Sequence, residues 1–169
     1  MDKARLTLRE IALFGILGAL IFGAKVAMSF LPNVEPVSLL VMVYAVVFGR
    51  KALYPIYLYV ALEILFYGIQ LWNINYLYIW AILALAAWLL RRMEHPLAWA
   101  LLGAVFGLLF GALCAPVYLF TGGLGLAISW WTAGIPYDAI HCAGNFVMVL
   151  VLFQPLRKLT TALYTRLMQ

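Results

Sequence analysis

Residues 3–36 read KARLTLREIALFGILGALIFGAKVAMSFLPNVEP: three basic residues (Lys3, Arg5, Arg9), a long apolar run, then a connection at 32–36 without a basic residue. The same order recurs along the chain. Ten of the eleven Lys and Arg residues fall in four places, the other three being Arg50 with Lys51, Arg91 with Arg92, and Arg157 with Lys158 and Arg166. The apolar stretches between these clusters are each interrupted midway by a non-basic connection, at 32–36, 70–75 and 121–134. Basic residues are retained on the cytoplasmic side of a bilayer. The alternation therefore predicts an all-α integral membrane protein, a compact bundle of six transmembrane helices with both termini cytoplasmic.

Composition points the same way. A chain of 169 residues that is 67% hydrophobic and 10% charged, with a mean hydropathy of +1.05, lies outside the range of soluble globular domains. At about 20 residues per helical span, six helices use up nearly all of it as a single transmembrane domain, and no soluble catalytic domain is expected. The formal net charge of +5 is absorbed by the inner basic clusters, so no nucleic-acid partner is implied. The first apolar run, about 21 residues, exceeds an ordinary signal-peptide core and lacks an A-x-A cleavage site, so it reads as a retained helix. Cys114 and Cys142 sit within apolar segments without metal-site or disulfide spacing and read as small buried residues. No cofactor or metal is expected.

The predicted spans are 11–31, 34–49, 52–69, 74–90, 96–120 and 135–156. The second is short, and it must be thinly matched to the bilayer or partly re-entrant. Pro36, Pro55 and Pro96 fall near helix starts, where no backbone donor is lost. Pro116 falls inside the fifth span and is expected to kink or end it. That would leave 117–131, with Gly122, Gly123 and Gly125, as a flexible outer segment and a candidate lid.

Small residues repeat every fourth position on the first helix (Gly15, Ala19, Gly23, Ala27) and on the fifth (Gly103, Gly107, Gly111, Ala115). Such stripes let helix backbones approach closely in lipid, either within the bundle or against a partner subunit. Ionisable residues inside the spans are few: Lys25, Glu63, Asp138 and His141, joined by Glu35 in the first outer connection. Lys25 and Glu63 lie about 9 Å and Asp138 about 5 Å from the outer helix ends. Asp138, His141 and Asn145 follow i, i+3, i+7 spacing and share a helix face. No ionisable side chain is predicted in the inner halves, an asymmetry unlike a channel or ordinary carrier, which needs polar groups along a whole route or at the midplane. Trp72, Trp80, Trp130 and Trp131, with Tyr67, Tyr76, Tyr78 and Tyr137, crowd the same outer region. Some belong to an interfacial belt; Trp130 and Trp131 also suit the wall of a binding cup.

Each polar residue has an architectural alternative. Lys25 can snorkel outward, Glu63 can neutralise Lys25 between helices, Asp138 can serve the free amides of a helix start, and His141 can bridge helices by a hydrogen bond.

Short six-helix chains with basic inner loops, a small-residue stripe on the first helix and an outer cup resemble the substrate-binding S components of energy-coupling factor (ECF) transporters. The runs Leu31-Pro-Asn-Val-Glu-Pro36, Val46-Val-Phe-Gly-Arg-Lys51, Trp72-Asn-Ile-Asn-Tyr76 and Gly134-Ile-Pro-Tyr-Asp-Ala-Ile-His-Cys142 are similar to segments of a substrate-unassigned branch of that family, and the resemblance spans essentially the whole chain. It implies a subunit in the plasma membrane of a prokaryote that captures a vitamin or related micronutrient outside. A transmembrane T component and two ATPase subunits would then drive transport, the S component tilting in the bilayer. This chain has no G-x-x-x-x-G-K-[ST] run to cradle phosphates. The resemblance assigns the T-component surface to Gly15, Ala19, Gly23 and Ala27, although the family more usually carries Ala at such positions. The substrate-binding set would be Glu63, Trp72, Asn75, Trp130, Trp131, Asp138, His141 and Asn145. Its aromatic residues suit a conjugated or bulky ligand such as a cobalamin-like tetrapyrrole or a modified nucleobase, and its carboxylates suit donors or a positive group. A second class of function uses the same residues: an intramembrane enzyme in which Glu63, Asp138 and His141 act on a lipid-borne substrate. His95, the other histidine, falls in a basic inner connection, which leaves few ligands for a metal.

Overall fold

The computed structural model describes residues 6–31 and 33–169; Lys3, Arg5 and Pro32, all part of the charge and turn pattern above, lie outside them. Every regular element among the described residues is helical. Helix α1 (Leu8–Ala27) begins earlier than predicted because Thr7 and Glu10 form a capping box: the Thr7 hydroxyl accepts from the Glu10 amide at 3.2 Å and the Glu10 carboxylate accepts from the Thr7 amide at 3.0 Å. It also ends earlier, at Ala27. Helix α2 (Val37–Phe48) is buried on nearly every side, as an all-round apolar helix must be. At Gly49 (φ 58°, ψ −130°) the chain leaves α2 and passes through a 3₁₀ turn, Gly49–Ala52, into α3 (Leu53–Tyr67). Helix α4 (Leu71–Leu89) also starts earlier than predicted, where the Asn73 side chain accepts the Gln70 amide at 2.5 Å.

The largest departure is α5, Pro96–Met168, helical over 73 residues except at Gly123 (φ 78°, ψ −178°). The expected loop at 121–134 is absent, and so is the lid at 117–131: the helix runs through Pro116 up to 122 and resumes at 124. The sixth span, predicted to start at 135 and end at 156, is the middle of this second arm. Proline was expected to break the helix because it removes a backbone donor. The helix nevertheless continues, and in the turn before Pro116 the Tyr78 hydroxyl ties it to α4 by donating to the Leu113 carbonyl at 2.7 Å. The reversal falls instead on Gly123, whose backbone conformation is accessible essentially only to glycine. The two arms lie antiparallel. Trp99 stacks on Phe153 (centroids 4.3 Å apart) and Tyr118 on Trp130 (4.2 Å), while the Asn145 side chain donates to the Gly103 carbonyl at 3.1 Å.

Among the described residues, four helical stretches are long and apolar enough to cross a membrane: Leu8–Ala27, Val37–Tyr67, Leu71–Leu89 and Pro96–Met168. The bundle has two distinct ends. At one, Arg9 donates to the Leu167 carbonyl, Arg50 and Arg91 flank Trp88, and Lys51 pairs with Glu10 at 2.6 Å. Glu10 was expected outside the first span. It lies instead in the first turn of α1, buried, and also accepts from the Tyr164 hydroxyl at 2.8 Å. The basic end of the bundle therefore does hold a buried ionisable group, a correction to the predicted asymmetry. The opposite end carries Lys25, Glu35, Glu63 and the Gly123 reversal.

The two small-residue stripes have opposite surroundings. A Cβ at Gly107 would stand 2.8 Å from the Cys142 amide nitrogen and the His141 carbonyl carbon, and one at Gly103 would stand 3.0 Å from Val149, so the α5 stripe is the seam between the arms. On α1, Gly15 and Gly23 have nothing within 4 Å of an added Cβ, and Ala19 and Ala27 are exposed. Gly107→Ala and Gly123→Ala should each lower the thermal transition of the purified protein, the latter by strain of about 1–3 kcal/mol. Gly15→Ala should leave it unchanged or raise it, since Ala gains about 1 kcal/mol of helix propensity over Gly. Equal tolerance at 15 and 107 would mean that the arms do not meet along this seam.

Candidate functional site

Two polar clusters are joined by a column of aromatic rings, one at the end opposite the basic residues and one along the seam of α5. The first is built on α3 and α4 at helical spacing. Tyr59, Glu63 and Tyr67 recur every fourth residue on α3, and Trp72 and Tyr76 do so on α4, so each set forms a stripe on one helix face. Lys25, from the last turn of α1, pairs with Glu63 between these stripes at 2.6 Å. Glu63 is wholly buried, while the Lys25 side chain is 21% exposed. The ammonium lies 6.0 Å from the ring centroid of Tyr59, 5.9 Å from Tyr67, and 5.4 Å from both Trp72 and Tyr76. One carboxylate oxygen, Glu63 Oε2, takes the lysine; Oε1 is buried without a hydrogen-bond partner among the described residues. A cavity of about 190 Å³ opens beside the pair, with Lys25, Ser29, Asn33, Glu35 and Tyr67 in its wall. Burial lifts the Glu35 carboxyl above the ordinary carboxylate range; Lys25 pulls it down and Glu63 pushes it up.

The second cluster fills the seam of α5. Asp138, His141 and Asn145 share one buried face, as their spacing predicts. Asp138 does not cap a helix start, because the helix is continuous there; its two oxygens accept from the Gly111 amide of the other arm, both at 3.1 Å. An added Cβ at Gly111 would collide with that carboxylate, so this glycine makes room for the aspartate. His141 Nε2 lies 3.4 Å from Ser38 Oγ, and the Asn145 amide donates to the same oxygen at 3.2 Å. His141 is thus an interhelical bridge to α2. Asn145 Oδ1 has no partner among the described residues.

The aromatic column joins the clusters. Phe110 lies 5.0 Å from His141 and 5.9 Å from Trp80, and Trp80 lies 5.3 Å from Tyr76, which faces Lys25. Asn75 is buried near it and accepts from the Tyr78 hydroxyl at 3.2 Å, its own amide nitrogen without a partner among the described residues. Trp130 packs on Tyr118 in the hairpin, and Trp131 is 41% exposed, so this pair does not form one wall. Glu63 belongs to the lysine cluster and Asp138 with His141 to the seam. No group of three His, Cys, Asp or Glu that could hold a metal occurs among the described residues.

Sequence reasoning overlooked Ser38, Tyr59 and Gly111. Ser38 carried a signal, as a hydroxyl in the apolar run Val37–Phe48. Tyr59 carried one too, at four residues before Glu63. Gly111 was identified only as a packing residue.

Ser38→Ala removes the shared partner of two buried side chains and should lower stability by about 1–3 kcal/mol, read from the thermal transition of the purified protein. Ser29→Ala, at an exposed position, should not. Comparison of the chain with known proteins finds no matching family model, no matching curated protein and no matching solved structure.

Proposed function

We propose that this protein is a membrane subunit that captures a small solute from the outer side and hands it to partner subunits, in the manner of an ECF S component. The observation that carries the reading is the enclosed Lys25–Glu63 pair, ringed by Tyr59, Tyr67, Trp72 and Tyr76 beside a cavity at the end away from the basic residues. Small-molecule sites combine such apolar and aromatic walls with a few convergent polar groups. In this reading the reversals at Gly49 and Gly123 return the chain across the bilayer, giving six crossings with both termini inside. The basic end is cytoplasmic and the cavity faces outward. The seam residues Asp138, His141 and Asn145, with Asn75 and Trp72, support the floor of the cup. A T component packs on the exposed α1 face of Gly15, Ala19, Gly23 and Ala27, and two ATPase subunits supply the energy.

The capture role is tested by purifying the protein from cells and identifying by mass spectrometry whether a small molecule stays with it through washing. A stoichiometric ligand supports the reading; protein that never retains or binds a solute removes its basis. Ala19→Leu adds bulk on the α1 face and should abolish uptake while the purified variant binds ligand as the parent does. Loss of binding and of folding together would show that this face packs internally. For the orientation, a cysteine at Gly125, where an added Cβ meets nothing within 4 Å, should react with an impermeant thiol reagent applied to intact cells, and one at Arg92 should not.

A further inference from the structure

We propose that the ring cage and Glu63 form a binding site for a protonated amine or amidine group on a small organic solute, and that Lys25 occupies this site in the empty protein as a tethered stand-in. The proposal rests on the capture reading and names its substrate class. Neutralising Glu63 requires only a cation within hydrogen-bond reach. The structure supplies more: four rings from two helices surround the ammonium at 5.4–6.0 Å. Ring faces are electrostatically negative, so together they favour any cation placed among them and oppose an anion. Helical spacing on α3 and α4 fixes this arrangement independently of α1, which brings only the lysine.

Glu63 provides the second observation. Its Oε1 is buried and without a partner among the described residues while Oε2 holds Lys25, so an N–H donor entering the cage finds an acceptor already desolvated. The third is the imbalance of charge. Glu35 lines the same cavity as Lys25, so two carboxylates serve one ammonium. The pair is also unequal in freedom. Glu63 is wholly buried and fixed on α3, whereas Lys25 is partly exposed on a flexible four-carbon stem at the end of α1. An incoming cation can take Glu63 while the lysine swings towards Glu35, and no charge is left alone at any stage. An anionic ligand would meet the ring faces and two carboxylates instead.

The test uses the purified full chain and four probes of one shape: benzylamine, benzyltrimethylammonium, benzyl alcohol and benzoate, measured by calorimetry and thermal shift. Benzylamine should bind, and benzyltrimethylammonium, which has no N–H for Oε1, should bind more weakly. Lys25→Met removes the internal competitor, so benzylamine should bind about tenfold tighter. It should also raise the variant's thermal transition, which the unpaired Glu63 lowers, while benzyl alcohol and benzoate do neither. Glu63→Gln should abolish benzylamine binding. Should Lys25→Met not fold, Glu35→Gln keeps the cage and its lysine intact and should weaken benzylamine severalfold by removing the refuge for Lys25. Benzoate binding, unchanged affinity in Glu35→Gln, or no gain in a folded Lys25→Met would each overturn the assignment. A copurified ligand without a basic nitrogen would overturn it as well and leave the capture role standing.

Discussion

The close approach of the two arms of α5 is the contact on which the other features depend. Along the seam, Gly103, Gly107 and Gly111 replace side chains with backbone surface, and at Gly107 the facing backbone is near enough that a single methyl group would overlap it. In a lipid-facing bundle, association relies on such packing and on hydrogen bonds between helices. The seam supplies both, since the space freed at Gly111 admits the Asp138 carboxylate and the carbonyl of Gly103 receives the Asn145 amide. With the arms closed, His141 and Asn145 reach Ser38, and α2 is held in the middle of the bundle, buried on nearly every side.

Helix α1 is attached differently. Two ion pairs bracket it: Glu10 with Lys51 at the basic end and Lys25 with Glu63 at the other, both 2.6 Å long. Between them Gly18 fits against Pro55 and Leu58 of α3. Each pair joins a buried carboxylate to a partly exposed lysine, and together they tie α1 to α3 and to the turn before it. The remaining face of α1, with its small residues, is free to meet lipid or another subunit. The Lys25 end differs from the Lys51 end in its surroundings, because rings from α3 and α4 enclose it and a cavity opens beside it. The same kind of bond is an anchor at one end and, under the amine-site proposal, an exchangeable contact at the other.

The helical character of the chain and the membership of the polar face were legible in the sequence. Apolar runs and the 3.6-residue period suffice to put Asp138, His141 and Asn145 on one side of a helix, and scarcity of charge makes Lys25 and Glu63 conspicuous. The partners of these groups were not legible. Nothing local indicates that the Asp138 carboxylate is received by an amide 27 residues away, or that Ser38 serves both His141 and Asn145. Nor does adjacency of Trp130 and Trp131 give direction on a helix: consecutive side chains diverge by about 100°, and only Trp130 stacks on Tyr118.

Local chemistry in the sequence determined where helices can exist, which residues are costly to bury, and which end of the bundle carries the basic clusters. Those are one-dimensional properties, set by composition, period and charge. Only tertiary structure decided where the last helix turns. Proline at 116 and glycines at 122, 123 and 125 all offered breaks, and within the packed arms the helix runs through the proline, so that the reversal falls on Gly123 alone. Tertiary structure likewise decided which glycine stripe is a seam and which an open face, because the two patterns are equivalent along the chain and differ only in what stands opposite them.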